Sequence, residues 1–244
     1  DPDEMTLDLQ PRLMNGTEEA DRRTTPYSAA LYVKALAESG LADDSVKTML
    51  ADLLEYGAAA QAYYNYRTDD LANDAKYQWT GYQPTDFTAP AATPVSVANV
   101  GDGIRIRSAN LWLESDTVAV QFRGIATAGA TYTLNGEAAV PSTFGADFVV
   151  KAAAIKMGEL IDAAYTLVVF DGVNSSTVTY SVATYIANKT SAEYEASGNQ
   201  YMLNLAKRLW VYGGSAKVVL EMQAGDAFVF DGDNQDDELW GPLF

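Results

Sequence analysis

The sequence predicts an α+β protein: an antiparallel β-sandwich with a helical pair at each end, the two pairs related by internal duplication. Three observations carry this. Segment 26–33 (PYSAALYV) is echoed by 179–186 (TYSVATYI), and 53–61 (LLEYGAAAQ) by 209–217 (LWVYGGSAK). Around each echo the apolar residues recur at helical spacing. Between the copies, short runs rich in Val, Ile, Thr and Tyr alternate in polarity and are divided by Gly, Asn, Asp and Ser. That is the pattern of strands with one buried face.

Taken in order, residues 1–82 form a first, truncated repeat of one strand and a helical pair. Met5-Thr6-Leu7-Asp8-Leu9 echoes Tyr165-Thr166-Leu167-Val168-Val169 and supplies the strand. Ala29, Leu31, Tyr32, Ala35 and Leu36 make one helical face. After the Ser39-Gly40 break, Val46, Met49, Leu50, Leu53, Leu54 and Tyr56 make the second. Asp43, Asp44 and Ser45 stand where carboxylates and hydroxyls cap free helix N–H groups. Residues 83–94, with Pro84, Pro90 and Pro94, read as a linker or an extended crossing. Residues 95–180 hold the strand runs VSVANV, GIRIRSANLWL, TVAVQFRGIA, ATYTLNG, DFVVKAAA, YTLVVFDG and STVTYSV, with a partly helical patch around 152–164. Residues 181–230 hold the second helical pair, on Met202, Leu205, Leu209, Trp210 and Tyr212, and a terminal strand. Residues 231–244 are an acidic tail. A Tyr-Gly pair falls at the same place in both copies, Tyr56-Gly57 and Tyr212-Gly213. Glycine inside a helix destabilises it, so its repetition predicts close approach of another backbone.

Composition narrows the chemistry. The 244 residues carry 16 Lys plus Arg against 33 Asp plus Glu, a formal charge of −17, with no Cys and no His. A Ser-His-Asp triad, a cysteine nucleophile, thiolate or imidazole zinc sites and disulfides are thereby excluded. The acidity argues against nucleic acid as a partner. No apolar run approaches the roughly 20 residues of a membrane helix. Asp1-Pro2-Asp3-Glu4 reads as an internal cut or a processed start rather than a secretory signal.

The segments YSAALYVKAL and LLEYGAAAQAYYNYRTDDLAND, with the weaker echo YSVATYIANK and LWVYGGSAK, resemble a repeat module of large secreted proteins of anaerobic gut bacteria. Copy one carries the resemblance over residues 26–74. Copy two has Lys217 where copy one has Gln61, and lacks the Tyr63-Tyr64-x-Tyr66 cluster. Such modules stand beside carbohydrate-active enzymes, dockerins and starch-adherence proteins of the amylosome. The resemblance implies a secreted or cell-surface, non-catalytic module, neighbouring domains in one polypeptide, and a polysaccharide or oligosaccharide partner, starch or another α-glucan first. It assigns no binding residues.

Sugar binding rests on flat aromatic faces flanked by hydrogen-bonding groups. Tyr77, Gln78, Trp79, Tyr82 and Gln83 concentrate both in a polar, Gly-containing stretch with no interleaved aliphatics. They form either an exposed platform or a lid packed over the helical pair. Trp112 is the reserve platform: alternation sets it opposite Leu111 and Leu113, facing solvent if those leucines face the core, or helices if both faces are covered. Trp210 falls on an apolar helix face. Trp240 belongs to a tail that docks back or to the entry of a following domain. The run 231–238 (DGDNQDDE) offers oxygen ligands for Ca²⁺, but it misses the EF-hand spacing, and a solvated acidic linker is the alternative. No other cofactor or metal site is expected. Glu114, Asp116, Asp147 and Glu159 are the carboxylates a glycosidase mechanism would draw on; no motif orders a pair of them, and no enzyme is expected.

Overall fold

Two helices, one ahead of the main sheets and one after them, begin on a serine whose side chain caps the first turn, and this sets where each starts. In the computed structural model, which describes residues 14–15, 18–19, 28–91, 95–98, 103–113 and 117–225, Ser28 Oγ accepts from the Leu31 N–H at 3.1 Å. At the equivalent place in the second copy, Ser181 Oγ accepts from the Thr184 N–H at 3.0 Å. A short β1 (Met14–Asn15) pairs antiparallel with β2 (Glu18–Glu19) ahead of α1 (Ala29–Glu38). Asp43 then caps α2 (Asp44–Tyr64), its carboxylate accepting from the Val46 N–H at 2.8 Å. That helix stops where Asn65 adopts a left-handed conformation (φ 53°), which asparagine tolerates better than most residues. The strand expected at 5–9 lies outside the described residues.

After a 3-10 turn at Ala75–Tyr77 and an irregular crossing, the strands follow. They are β3 (Ser96–Ala98), β4 (Ile104–Leu113), β5 (Val118–Ala126), β6 (Thr131–Leu134), β7 (Glu137–Ala138), β8 (Ser142–Phe144), β9 (Asp147–Lys151), β10 (Ala164–Phe170) and β11 (Ser175–Ser181). They form two antiparallel sheets besides the β1–β2 pair: a five-stranded one in the order β3-β11-β10-β6-β7, and a four-stranded one in the order β4-β5-β9-β8. The helical patch expected near 152–164 is a 3-10 turn at Met157–Asp162. Beyond β11 come α3 (Val182–Lys189), the short α4 (Ala192–Ala196) and α5 (Gln200–Gly225). The terminal strand, the acidic run 231–238 and Trp240 lie outside the described residues. No described helix is long and apolar enough to cross a membrane.

Alternation does the packing. Ile104, Val120, Phe122 and Val150 of the four-stranded sheet are buried in one cluster with Leu167, Val169 and Val178 of the five-stranded sheet. Val182, Ile186, Ala206 and Leu209 of the helices that follow close the cluster. The first helical pair has its own smaller cluster, built on Ala30, Val33, Ala37, Leu50, Ala51 and Leu54.

The two helical pairs meet along α2 and α5. Tyr56 and Tyr212 stack on each other at 5.8 Å with an interplanar angle of 19°. Beside them Arg208 pairs with Glu55 at 3.1 Å. The glycine after each tyrosine lies close to a neighbouring side chain, not to another backbone as the sequence predicts. A Cβ on Gly57 would stand 3.2 Å from Ala72 Cβ, and one on Gly213 would stand 2.6 Å from Leu160 Cδ2. Four residues further on, Gln61 and Lys217 hold those neighbouring segments in place. The Gln61 amide donates to the Asp70 carbonyl and accepts from the Ala72 N–H, while Lys217 pairs with Asp162. A different residue therefore serves the same purpose at the same repeat position.

Candidate functional site

The aromatic loop is a lid. Tyr77 and Trp79 are buried, at 7% and 6% exposure, within the cluster of the first helical pair. The Tyr77 hydroxyl donates to Asp70 at 2.8 Å, and Lys76 and Arg67 pair with the same carboxylate at 2.6 and 3.2 Å. Hydrogen bonds from Lys76 and Tyr77 hold the Asp70 carboxyl below its ordinary range, and the bond to Asp70 raises the Lys76 ammonium. Trp79 meets Tyr82 edge to face at 4.9 Å. The half-buried Tyr82 donates to Glu55 at 3.2 Å or the Ala51 carbonyl at 3.3 Å; burial, then Glu55, pushes its hydroxyl well above the usual tyrosine range. Gln78 spends its amide on the Asn73 carbonyl at 2.8 Å. The exposed platform expected here is therefore corrected. The facing helices are rich in alanine (Ala30, Ala37, Ala51), and only large side chains from elsewhere can fill the space between them. The loop carries no aliphatics because its own rings are the filling. Of its five candidates, only Gln83 is exposed.

Trp112 lies on the other side of the question. Leu111 faces the core at 6% exposure, whereas Trp112 is 44% exposed on the outward face of β4. Directly across the strand pair stands Ala119, itself 1% exposed. One step along the same face, Asn110 lies opposite Gln121, which in turn lies opposite Lys151 of β9. The next rows bring Ser108 opposite Arg123, and Phe144 of β8 opposite Asp147. A bulge between Ile106 and Ser108 adds Arg107, which pairs with Asp147 at 2.7 Å. Arg123 shares that carboxylate at 3.2 Å, and its guanidinium stands 4.4 Å from the centre of the Phe144 ring. Phe144 is itself 66% exposed.

With strands about 4.8 Å apart and about 3.4 Å per residue, Trp112 and Phe144 stand at opposite corners of this face, roughly 25 Å apart. An amide- and cation-lined surface runs between them. Sequence reasoning found Trp112 and missed Phe144, Asn110, Gln121, Lys151 and Arg123. Alternation gives the outward residues of each strand, but only the register tells which of them share a row.

The third concave feature involves Gln83. It lines a cleft of about 420 Å³ with Lys47, Thr48, Thr85 and Asp86, and Thr48, Thr85 and Asp86 also line an adjoining cleft of about 390 Å³ that reaches Trp210. The wall shared by both is fixed from below. Asp52, 1% exposed inside α2, accepts from the Thr85 N–H at 2.7 Å and the Thr85 hydroxyl at 2.9 Å.

Among the other carboxylates considered, Asp147 is held by two arginines, and Glu159 pairs with Lys156 at 3.6 Å on the surface. Glu114 and Asp116 lie outside the described residues. Among those described, no group of three or more acidic side chains could hold a metal ion. No protein family, curated protein or solved structure matches this chain.

Proposed function

We propose that the chain is a non-catalytic carbohydrate-binding module of a secreted or cell-surface protein, with the outward face of the four-stranded sheet as its binding surface. The observation that carries this is Trp112: a large indole held in the open on a rigid strand, with Asn110, Gln121 and Lys151 in the neighbouring row. An aromatic ring presents an apolar face to the C–H face of a sugar, and nearby amides and amines meet its hydroxyls. Starch or another α-glucan is the first polymer to test, on the strength of the resemblance over residues 26–74 alone. The two sheets are read as a β-sandwich and the helical pairs at its ends as products of duplication. Three observations support the duplication: the paired serine caps, the stacked tyrosines, and the equivalent glycines with their pinned neighbours.

Affinity electrophoresis through gels of starch, pullulan, xylan or polygalacturonate tests the reading. Retardation in a glucan gel that weakens in Trp112→Ala supports both function and site. Retardation only by the acidic polymer overturns the α-glucan assignment. Migration unaffected by every polymer overturns the module reading. A structural spacer or protein-docking module then takes its place, the role favoured by the burial of Tyr77 and Trp79.

A further inference from the structure

The helix α5 contains two successive glycines, and only one of them has a packing reason. Gly213 lies against Leu160, where a methyl group would collide. A Cβ on Gly214 would meet nothing within 4 Å. A glycine in a helix interior is less stable than alanine there, so local packing and helix propensity both favour a side chain at 214. What lies beside Gly214 is the 390 Å³ cleft, on whose wall it stands with Trp210 and Ser215. A side chain at 214 would occupy that space.

The opposite wall is built to stay still. Residues 78–91 have no helix or strand beyond the preceding 3-10 turn, yet Thr85 is clamped by two hydrogen bonds to the buried Asp52. Burying a carboxylate is unfavourable unless its hydrogen bonds offset the loss of water, and here they fix a segment whose outward side chains, Asp86 and Thr88, face the cleft. An open, rigid space thus lies between an indole on one side and hydroxyls and a carboxylate on the other. Its volume is in the range of small-molecule sites.

We infer that this cleft is a second ligand site of the chain and takes a neutral saccharide unit. The chemistry of the walls selects that class. Ser45 and Thr88 supply hydroxyls that donate or accept, the Thr48 and Ser215 hydroxyls, which donate to the Asp44 and Tyr212 carbonyls at 2.9 and 3.1 Å, are left to accept, and Asp86 accepts from ligand hydroxyls. Trp210 gives the apolar wall that one face of a pyranose ring needs. Asp86 repels an anion, and Val211 and Val218 extend the apolar part of the lining beside Trp210. The inference rests on the carbohydrate-binding reading and extends it. Two sites on one module hold a polymer more tightly than a short oligosaccharide, because the second contact becomes intramolecular.

The test is calorimetric titration of the whole chain with maltohexaose, xylohexaose and cellohexaose, comparing wild type, Trp112→Ala, Gly214→Leu and the double variant. The expected result is a stoichiometry of two for wild type, one for each single variant and no binding for the double variant. Gly214→Ala, measured alongside, raises the melting temperature and shows that position 214 accepts a side chain. Gly214→Leu binding as wild type does, with its melting temperature retained, overturns the cleft while leaving the sheet site intact. Binding abolished by Trp112→Ala alone also overturns it. Binding unchanged in Trp112→Ala but lost in Gly214→Leu supports the cleft and overturns the sheet site. If no hexasaccharide binds wild type, both fall. Should Gly214→Leu fail to fold, Thr88→Trp, which fills the cleft from its exposed wall, replaces it with the same expected outcomes.

Discussion

Replacing each glycine of the Gly213-Gly214 pair by alanine separates two effects that usually arrive together. Both substitutions gain the same helix propensity, about 1 kcal/mol at an interior position. They differ in what the new methyl meets. At 213 it lies 2.6 Å from Leu160 Cδ2, 3.2 Å from Leu160 Cβ and 3.4 Å from Ile161 Cγ2. Leu160 is fully buried, so its side chain cannot swing into solvent to make room. Overpacking of this kind costs about 1–3 kcal/mol, which leaves Gly213→Ala between neutral and about 2 kcal/mol less stable. At 214 the methyl meets nothing, and the propensity gain remains whole. The two variants are therefore expected to differ by about 1–3 kcal/mol, with Gly214→Ala the more stable. Urea unfolding by circular dichroism, with equal slopes for both variants, measures the difference. For a chain of this size it corresponds to a separation of at least about 2 °C in melting temperature. If the two agree within about 0.3 kcal/mol, the contact with the 157–162 turn is not what keeps glycine at 213.

Four further outcomes follow from the same geometry. Trp79→Ala is expected to lose about 3–5 kcal/mol of stability, as a buried tryptophan does. Trp112→Ala should change stability by no more than about 1 kcal/mol while weakening, not abolishing, retardation in a glucan gel; equal stability losses would show that Trp112 is structural. Asp52→Ala strips Thr85 of both bonds and should cost about 1–3 kcal/mol. Amide exchange at residues 84–88 should accelerate in that variant, and protection there as in wild type would refute the clamp. Asp70 has its folded-state pKa lowered, chiefly by Lys76 and Tyr77. The stability it contributes is present above the ordinary aspartate value near 3.8 and is lost as pH falls through the depressed value. Asp70→Asn should therefore be less stable than wild type at pH 6, with the gap closing in strong acid. A constant gap down to pH 2 would contradict the ionic origin of the shift.

Periodicity and repetition made most of the secondary structure legible. Each of the Val- and Thr-rich runs contains a strand, and Asp43 caps α2 where the sequence places a cap, whereas the serine caps of α1 and α3 were not read from sequence. β7 and β8 escaped because two or three residues are too few for alternation to register. The site was harder to read. The stretch Tyr77–Gln83 looks exposed by its polarity, yet its rings supply volume that the alanine-rich faces of α1 and α2 lack, and that demand arises from another part of the chain. Alternation set Trp112 opposite Leu111, but whether that face is covered was not readable from one strand. Nor was its row of partners, since register depends on three strands at once. The glycine repeat was legible as a close approach, but Gly214, adjacent to it, carries no sequence signal that distinguishes open space from tight packing.

The stacked tyrosines also bear on the order of assembly. Tyr56 and Tyr212 are separated by all the strands from β3 to β11, so their contact closes a very long loop. Bringing such distant segments together costs chain entropy that nearby contacts do not. The two sheets share a core that draws nothing buried from α1 or α2, and α1 with α2 has its own. Each half can therefore gather locally before the tyrosines meet. During synthesis the first helical pair emerges well ahead of α5, with Glu55 and Tyr56 still waiting for their partners. The seam between α2 and α5 is therefore a contact whose closure carries a large loop-entropy cost.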